Sequence, residues 1–203
     1  MTSPVESKYL EIQQARIHYL ETGWGDRPSV LLLHGRSFNA QTWHDLGTLS
    51  LLAQHNYKAF AVDFPGFGQS DEPNGDLQNF LTALLDGLKL NRPVVVSPSM
   101  SGAYSLPLVA AHHPRLAGFV AVAPVSIPSF ATELRDNPLS TLAIWGSDDT
   151  IVPVEQADEL CRVMLNARKV VLPGAGHACY MGAPAEFHDH LLRFLQECHT
   201  GEA

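Results

Sequence analysis

Four serines, Ser97, Ser99, Ser101 and Ser105, fall within "VVVSPSMSGAYSLP", where an apolar run meets small residues and then a helical pattern. A serine hydroxyl becomes an effective nucleophile when its backbone is held on a tight strand-to-helix turn and a base lies within hydrogen-bond reach. Such a turn needs small residues two before and two after the serine, usually spelled G-x-S-x-G. Centred on Ser99, those positions are Ser97 and Ser101, both small though neither is glycine. Centred on Ser97, they are Val95 and Ser99, and a β-branched valine inside the strand fits poorly. Ser101 has small neighbours in Ser99 and Ala103 but falls half a turn further on, and Ser105 lies inside the helix. The competing reading makes the segment a polar connection and Ser99 a helix cap.

Partners elsewhere in the chain favour the nucleophile. A serine needs a base to take its proton, and the base works best when a carboxylate orients it. Where strands and helices alternate, the chain order of such a set is serine, acid, histidine. "AIWGSDDTIVP" places Asp148 and Asp149 directly after one apolar strand, and "VVLPGAGHACY" places His177 after the next. Either aspartate fits the acid position, the other serving as a turn residue. An oxyanion hole would take one backbone N–H from Met100, just after the nucleophile, and one from Arg36 in the loop after "SVLLLHG", with His34 and Gly35 as its scaffold. The Arg36 guanidinium would hold an anionic substrate or acyl carrier, or point to solvent. Pro98, with its fixed φ, is expected to pre-set the turn.

Other patterns carry less. Gly66-x-Gly68 in "DFPGFGQS" lacks the third glycine and the acidic ribose ligand of a dinucleotide fingerprint. His188 and His190 in "HDH" lie two apart on a helix, so they point to different faces and read as solvated surface. His112 and His113 read as a helix end, where imidazolium suits the dipole. Cys161, Cys179 and Cys198 are widely spaced without a C-x-x-C, which argues against a disulfide framework or zinc site. Cys179 stands beside His177 and not on a turn, so cysteine hydrolase chemistry does not fit. Dehalogenase or epoxide hydrolase chemistry would need an aspartate at position 99.

The elements that must position these residues alternate. "YLEIQ" and "ARIHYLET" read as two antiparallel strands, and "SVLLL", "KAFAVDF", "PVVVS", "LAGFVAVAP", "TLAIWG" and "RKVVLPG" as further strands. Helical spacing covers Gln41 to Gln54, Leu77 to Leu88, Met100 to Ala111, Val154 to Leu165 and Pro184 to Cys198. This pattern predicts an α/β fold with a mostly parallel sheet of about eight strands flanked by helices, and a ligand site at the strands' carboxyl ends. Ile127 to Ser140 is too short for a large lid, so the fold should have a minimal lid or none.

The 203 residues are 45% hydrophobic and 17% charged, within the range of one globular domain spanning 1–203. A formal charge of −8 with no basic patch argues against direct nucleic-acid binding or an anionic membrane surface. No apolar run approaches the roughly 18 residues a membrane span needs. A cytoplasmic location is expected.

"VLLLHGRSFNAQTWHDLGTL", "AVDFPGFGQS", "VVVSPSMSGAYSLP", "GFVAVAP" and "LPGAGHACYMGAP" together resemble the alpha/beta-hydrolase domain-containing protein 14 family, from about Ser29 to Cys198. The resemblance implies the α/β-hydrolase fold and a triad of Ser99, Asp149 and His177. It also implies hydrolysis of small esters; the short Ile127 to Ser140 connection leaves the site open and so points to short acyl groups, and no cofactor is expected. One member of that family is described as a protein-lysine deacetylase that passes acetyl to coenzyme A, and as a partner of a transcription initiation factor subunit. Coenzyme A as acyl acceptor and a protein partner are therefore expectations from resemblance only. A non-catalytic interaction module is the reading from another class. Two departures from the family pattern flank the site: a shorter stretch between "GQSDEP" and Leu77, and Arg36 where an apolar residue is usual.

Overall fold

The computed structural model describes residues 3–73 and 77–201. The shortened stretch ahead of Leu77 consists of Asn74, Gly75 and Asp76, which lie outside the described residues. Eight strands form one sheet: β1 (Glu6–Ile12), β2 (Ala15–Thr22), β3 (Val30–Leu32), β4 (Ala59–Val62), β5 (Val94–Pro98), β6 (Gly118–Val122), β7 (Thr141–Gly146) and β8 (Ala167–Leu172). Their order across the sheet is β1-β2-β4-β3-β5-β6-β7-β8. The β1–β2 and β2–β4 pairs are antiparallel, and every pair from β4 to β8 is parallel.

Alternation along the buried strands divides the core in two. Leu31, Val95, Phe119, Ala121, Ala143 and Trp145 face one layer of helices, α3 (Phe80–Gly87), α4 (Gly102–His112) and α6 (Glu155–Val163). Val30, Leu32, Val94, Val96, Val120, Val122 and Ile144 face the other, α1 (Ala40–Asp45), α2 (Thr48–Gln54) and α8 (Pro184–Thr200). A strand buried on both faces has no polar side to alternate with, which is why β3, β5, β6 and β7 read as continuous apolar runs. At the far edge, β8 exposes Arg168 and Lys169, which pair with Glu197 and Asp158. Charges on an exposed edge discourage pairing with another strand.

The helix expected over Gln41–Gln54 is two helices, because Gly47 adopts φ +75° between Asp45 and Thr48. Two short helices were not visible in the apolar spacing: α5 (Ile127–Phe130) and α7 (Cys179–Gly182), four residues each. The β6–β7 connection buries Ile127 and Leu134 completely, so this segment packs into the core. The helix end expected at His112 is present, with His113 opening a 3-10 turn to Arg115.

Candidate active site

The strand-to-helix turn lies where β5 meets α4. Pro98 is still in the strand, with φ −90° and ψ 137°, so the turn falls on the next residue and not on the proline. Ser99 has φ +51°, a left-handed conformation that costs a non-glycine residue about 1–3 kcal/mol and persists only when its surroundings impose it. They do so on the carboxyl side through Val125, whose N–H donates to the Ser99 carbonyl at 2.9 Å. In a trans peptide the C=O and N–H point in opposite directions, so this bond turns the Met100 N–H away from Val125. Gly102 makes the approach feasible. A Cβ there would lie 2.4 Å from the Val125 carbonyl oxygen and 2.6 Å from Pro124 Cβ.

His177 and the aspartates are brought to Ser99 by two interlaced loops. The Asp148 N–H donates to the Ala175 carbonyl at 2.9 Å, and the Gly174 N–H donates to Ser147 Oγ at 2.8 Å. Gly146 permits this closeness, since a Cβ there would lie 2.1 Å from the Ala175 carbonyl oxygen. The Trp145 indole N–H reaches over to the Val152 carbonyl at 3.1 Å and holds the far side of the acid loop.

His177 Nε2 then sits 2.8 Å from Ser99 Oγ, and its Nδ1 sits 2.9 Å from Asp149 Oδ2. Of the two aspartates, Asp149 contacts the imidazole, while Asp148 is exposed and accepts from the Ser147 hydroxyl. The Asp149 side chain is fully buried, and its other oxygen accepts the N–H groups of Ile151 (2.8 Å) and Val152 (3.0 Å).

The loop after β3 closes the opposite wall. His34 is buried; its Nδ1–H donates to the Gly35 carbonyl at 2.8 Å and its Nε2 accepts the Phe64 N–H at 3.0 Å. These bonds require the neutral ring, and burial holds its pKa below the usual histidine value. The Trp43 indole donates to the Leu33 carbonyl at 2.8 Å and fastens the same loop from behind. A cavity of about 630 Å³ opens between these walls. Arg36, Met100, Ser99 and His177 line it together with an aromatic set of Phe38, Phe67, Tyr104 and Tyr180. The structure therefore assembles all five residues singled out by sequence, Ser99, Asp149, His177, Met100 and Arg36, around one cleft.

Among proteins of known sequence, the alpha/beta hydrolase family model matches residues 30–136. A human protein named "Putative protein-lysine deacylase ABHD14B" is 44% identical over 179 residues, 84% of each chain. The zebrafish (Danio rerio) protein ABHD14A is 42% identical over 180 residues, 84% of this chain and 65% of its own. The chain belongs to the alpha/beta hydrolase family, in its ABHD14 group. A solved structure described as a "predicted CIB-like hydrolase" from Thermoplasma acidophilum has the same fold, with a TM-score of 0.90 at 25% identity, covering 96% of this chain and 99% of that one. Hydrolysis is accordingly the class of chemistry this α/β hydrolase is built for.

Several residues of this α/β hydrolase were not singled out correctly by sequence. His188, expected to be solvated, is half-buried and lies 2.9 Å from the Thr48 hydroxyl; burial lowers its pKa. Ser97, Ser101 and Ser105, read as small flanking residues and a helix residue, are fully buried, and Ser97 is hydrogen-bonded to both of the others. Gly146, inside "AIWGSDDTIVP", was given no role of its own by sequence. Cys179 is buried and its thiol is pushed up to about 12, so it is not a thiolate near neutral pH. Among the described residues, no group of three or more His, Cys, Asp or Glu side chains is arranged to hold a metal, and no helix is long and apolar enough to cross a membrane.

Proposed function

We propose that this α/β hydrolase cleaves small, short-acyl esters through a covalent acyl-enzyme formed on Ser99. The observation that carries this reading is the unbroken line Ser99 Oγ, His177, Asp149, at 2.8 Å and 2.9 Å, at the floor of an open cleft. Asp149 accepts a hydrogen bond from the Nδ1–H, which keeps the proton on Nδ1 and leaves a lone pair on Nε2 facing the hydroxyl. As Ser99 Oγ attacks the ester carbonyl, Nε2 takes its proton and returns it to the departing alkoxide. Water, deprotonated by the same nitrogen, then attacks the acyl-enzyme and releases the acid. The N–H groups of Met100 and Arg36 receive the oxyanion, where each donor is worth roughly a hundred- to a thousandfold in rate.

A short acyl group suits a cleft whose rim carries Ile151, 66% exposed, and whose β6–β7 connection is folded into the core. Long acyl chains need an apolar cover to replace water around them. The human relative's name adds a second acyl donor, the acylated lysine amide, which the same nucleophile and base would attack; coenzyme A would then compete with water as acceptor.

The test is a series of p-nitrophenyl esters from acetate to octanoate, together with an acetyl-lysine peptide, each with and without coenzyme A. The proposal expects acetate ester turnover, decline with chain length, and a single fluorophosphonate adduct on Ser99. Acetyl-coenzyme A in place of acetate would redirect the acyl acceptor. No adduct and no turnover would leave the fold as an interaction module.

A further inference from the structure

Beneath the turn that carries Ser99 lies a line of hydroxyls that this mechanism does not use. Ser101 Oγ is 2.7 Å from the Pro98 carbonyl oxygen, Ser97 Oγ is 2.9 Å from Ser101 Oγ, and Ser105 Oγ is 2.6 Å from Ser97 Oγ. All three side chains have no solvent exposure. Each hydroxyl has one proton, which fixes the direction of every bond. A carbonyl only accepts, so the Ser101 proton goes to Pro98. Ser97 must then donate to Ser101, and Ser105 must donate to Ser97. The result is a one-way chain, Ser105 to Ser97 to Ser101 to the Pro98 carbonyl.

The Pro98 carbonyl belongs to the peptide that immediately precedes Ser99, and the Ser99 carbonyl belongs to the one that follows. Val125 holds the second and Ser101 holds the first. With both peptide planes pinned, the residue between them has no free backbone torsion with which to relax from φ +51°. Ser101 acts directly on the plane. Ser97 and Ser105 act only by polarising the hydroxyl ahead of them, an effect that weakens with each step.

We infer that Ser101, Ser97 and Ser105 are positioning residues whose hydroxyl chain holds the nucleophile turn in its strained form, with influence on the reaction that falls in that order. The inference rests on Ser99 being the nucleophile. It also gives the departure from G-x-S-x-G a physical content: at the two flanking positions, glycine would supply room but no donor.

The experiment measures kcat and KM for p-nitrophenyl acetate, thermal midpoint and fluorophosphonate adduct site in wild type and in Ser101→Ala, Ser97→Ala and Ser105→Ala. Misplacement of a reacting group by about 1 Å costs up to about a hundredfold. The expected result is therefore a kcat loss of about ten- to a hundredfold for Ser101→Ala, less for Ser97→Ala, and about twofold for Ser105→Ala, with KM unchanged throughout. If Ser101→Ala does not fold, Ser97→Ala against Ser105→Ala reads the same gradient. Equal kcat losses in all three, or lower midpoints with kcat intact, would overturn the inference and leave the serines as packing. An adduct on a residue other than Ser99 in wild type would overturn the nucleophile assignment instead, a different result from either.

Discussion

Among the described residues, two Ser–His–Asp lines are present. In the cleft, Ser99, His177 and Asp149 are linked at 2.8 Å and 2.9 Å. On the antiparallel side of the sheet, Ser7 Oγ lies 2.9 Å from His18 Nε2, and His18 Nδ1 lies 2.7 Å from Asp63 Oδ2. By side-chain distance the two are equivalent, and what separates them is backbone conformation and surroundings. Ser7 lies within regular strand β1, opposite Leu20 on β2, whereas Ser99 sits on a strained turn facing a cavity. Asp149 spends its second oxygen on its own loop. Asp63 spends one oxygen on another element, accepting the Ala40 N–H at the start of α1 (2.6 Å), and with the oxygen that faces His18 it also accepts the Gln69 N–H of its own loop (2.8 Å). The second line is therefore a joint between β2, α1 and the loop after β4. A hydrogen-bonded trio becomes a site only where the serine is presented to a cleft with backbone donors beside it.

The largest expected effect tests the serines. Ser99→Ala should lower kcat for p-nitrophenyl acetate by at least about a thousandfold, while Ser7→Ala should leave it within about twofold; a comparable loss in both would erase the distinction. The aspartates come next, and there the readouts should cross. Asp149→Asn should reduce kcat by about a thousandfold or more by permitting the wrong imidazole tautomer, with a small change in Tm. Asp63→Asn breaks a buried charged network and should cost about 3 kcal/mol of stability, a fall in Tm of about 6–12 °C at roughly 2–4 °C per kcal/mol, with kcat per folded molecule changed little.

Gly102→Ala should combine a moderate Tm loss with a lower kcat, because a methyl group there displaces Val125 from the Ser99 carbonyl. A Tm loss without a kcat loss would mean that Val125 does not hold the turn. The smallest effect is on pH. Burial lowers the pKa of His34 and His188, which belong to neither line. Below about pH 6.5, the ordinary histidine value, the unfolded chain binds protons that these two buried rings resist. Stability should thus be level above that pH and decline below it, as thermal melts across the range would record, and His188→Asn should make the decline shallower.

The cleft could be read in the sequence because its residues follow the carboxyl ends of parallel strands, of which β5 and β7 are buried on both faces. Ser99, Asp149 and His177 are each marked by the run before them: "PVVVS", "TLAIWG" and "RKVVLPG". In the second line only Asp63 has such a mark, directly after the buried strand β4. Ser7 and His18 stand inside β1 and β2, and only the antiparallel pairing of these strands brings them to Asp63. His188 was misread for a related reason: its partner, Thr48, lies 140 residues away, and helical periodicity describes a face without saying what covers it. The short helices α5 and α7 hold too few apolar residues to show a period. The hydroxyl chain under Ser99 was hidden by its own composition, since small polar residues at an expected glycine position read first as room.

Gly146 and the laced loops beyond β7 and β8 have a mechanical consequence. Tied together by Asp148 to Ala175 and Gly174 to Ser147, the two loops form a single jaw set against a separately anchored anvil, the turn at Ser99. When the site loosens, by heat or by mutation, the gap should open between Ser99 and His177 while Asp149 stays in contact with the ring. Slack in this molecule would then appear as lost nucleophile activation well before it appeared as a lost base.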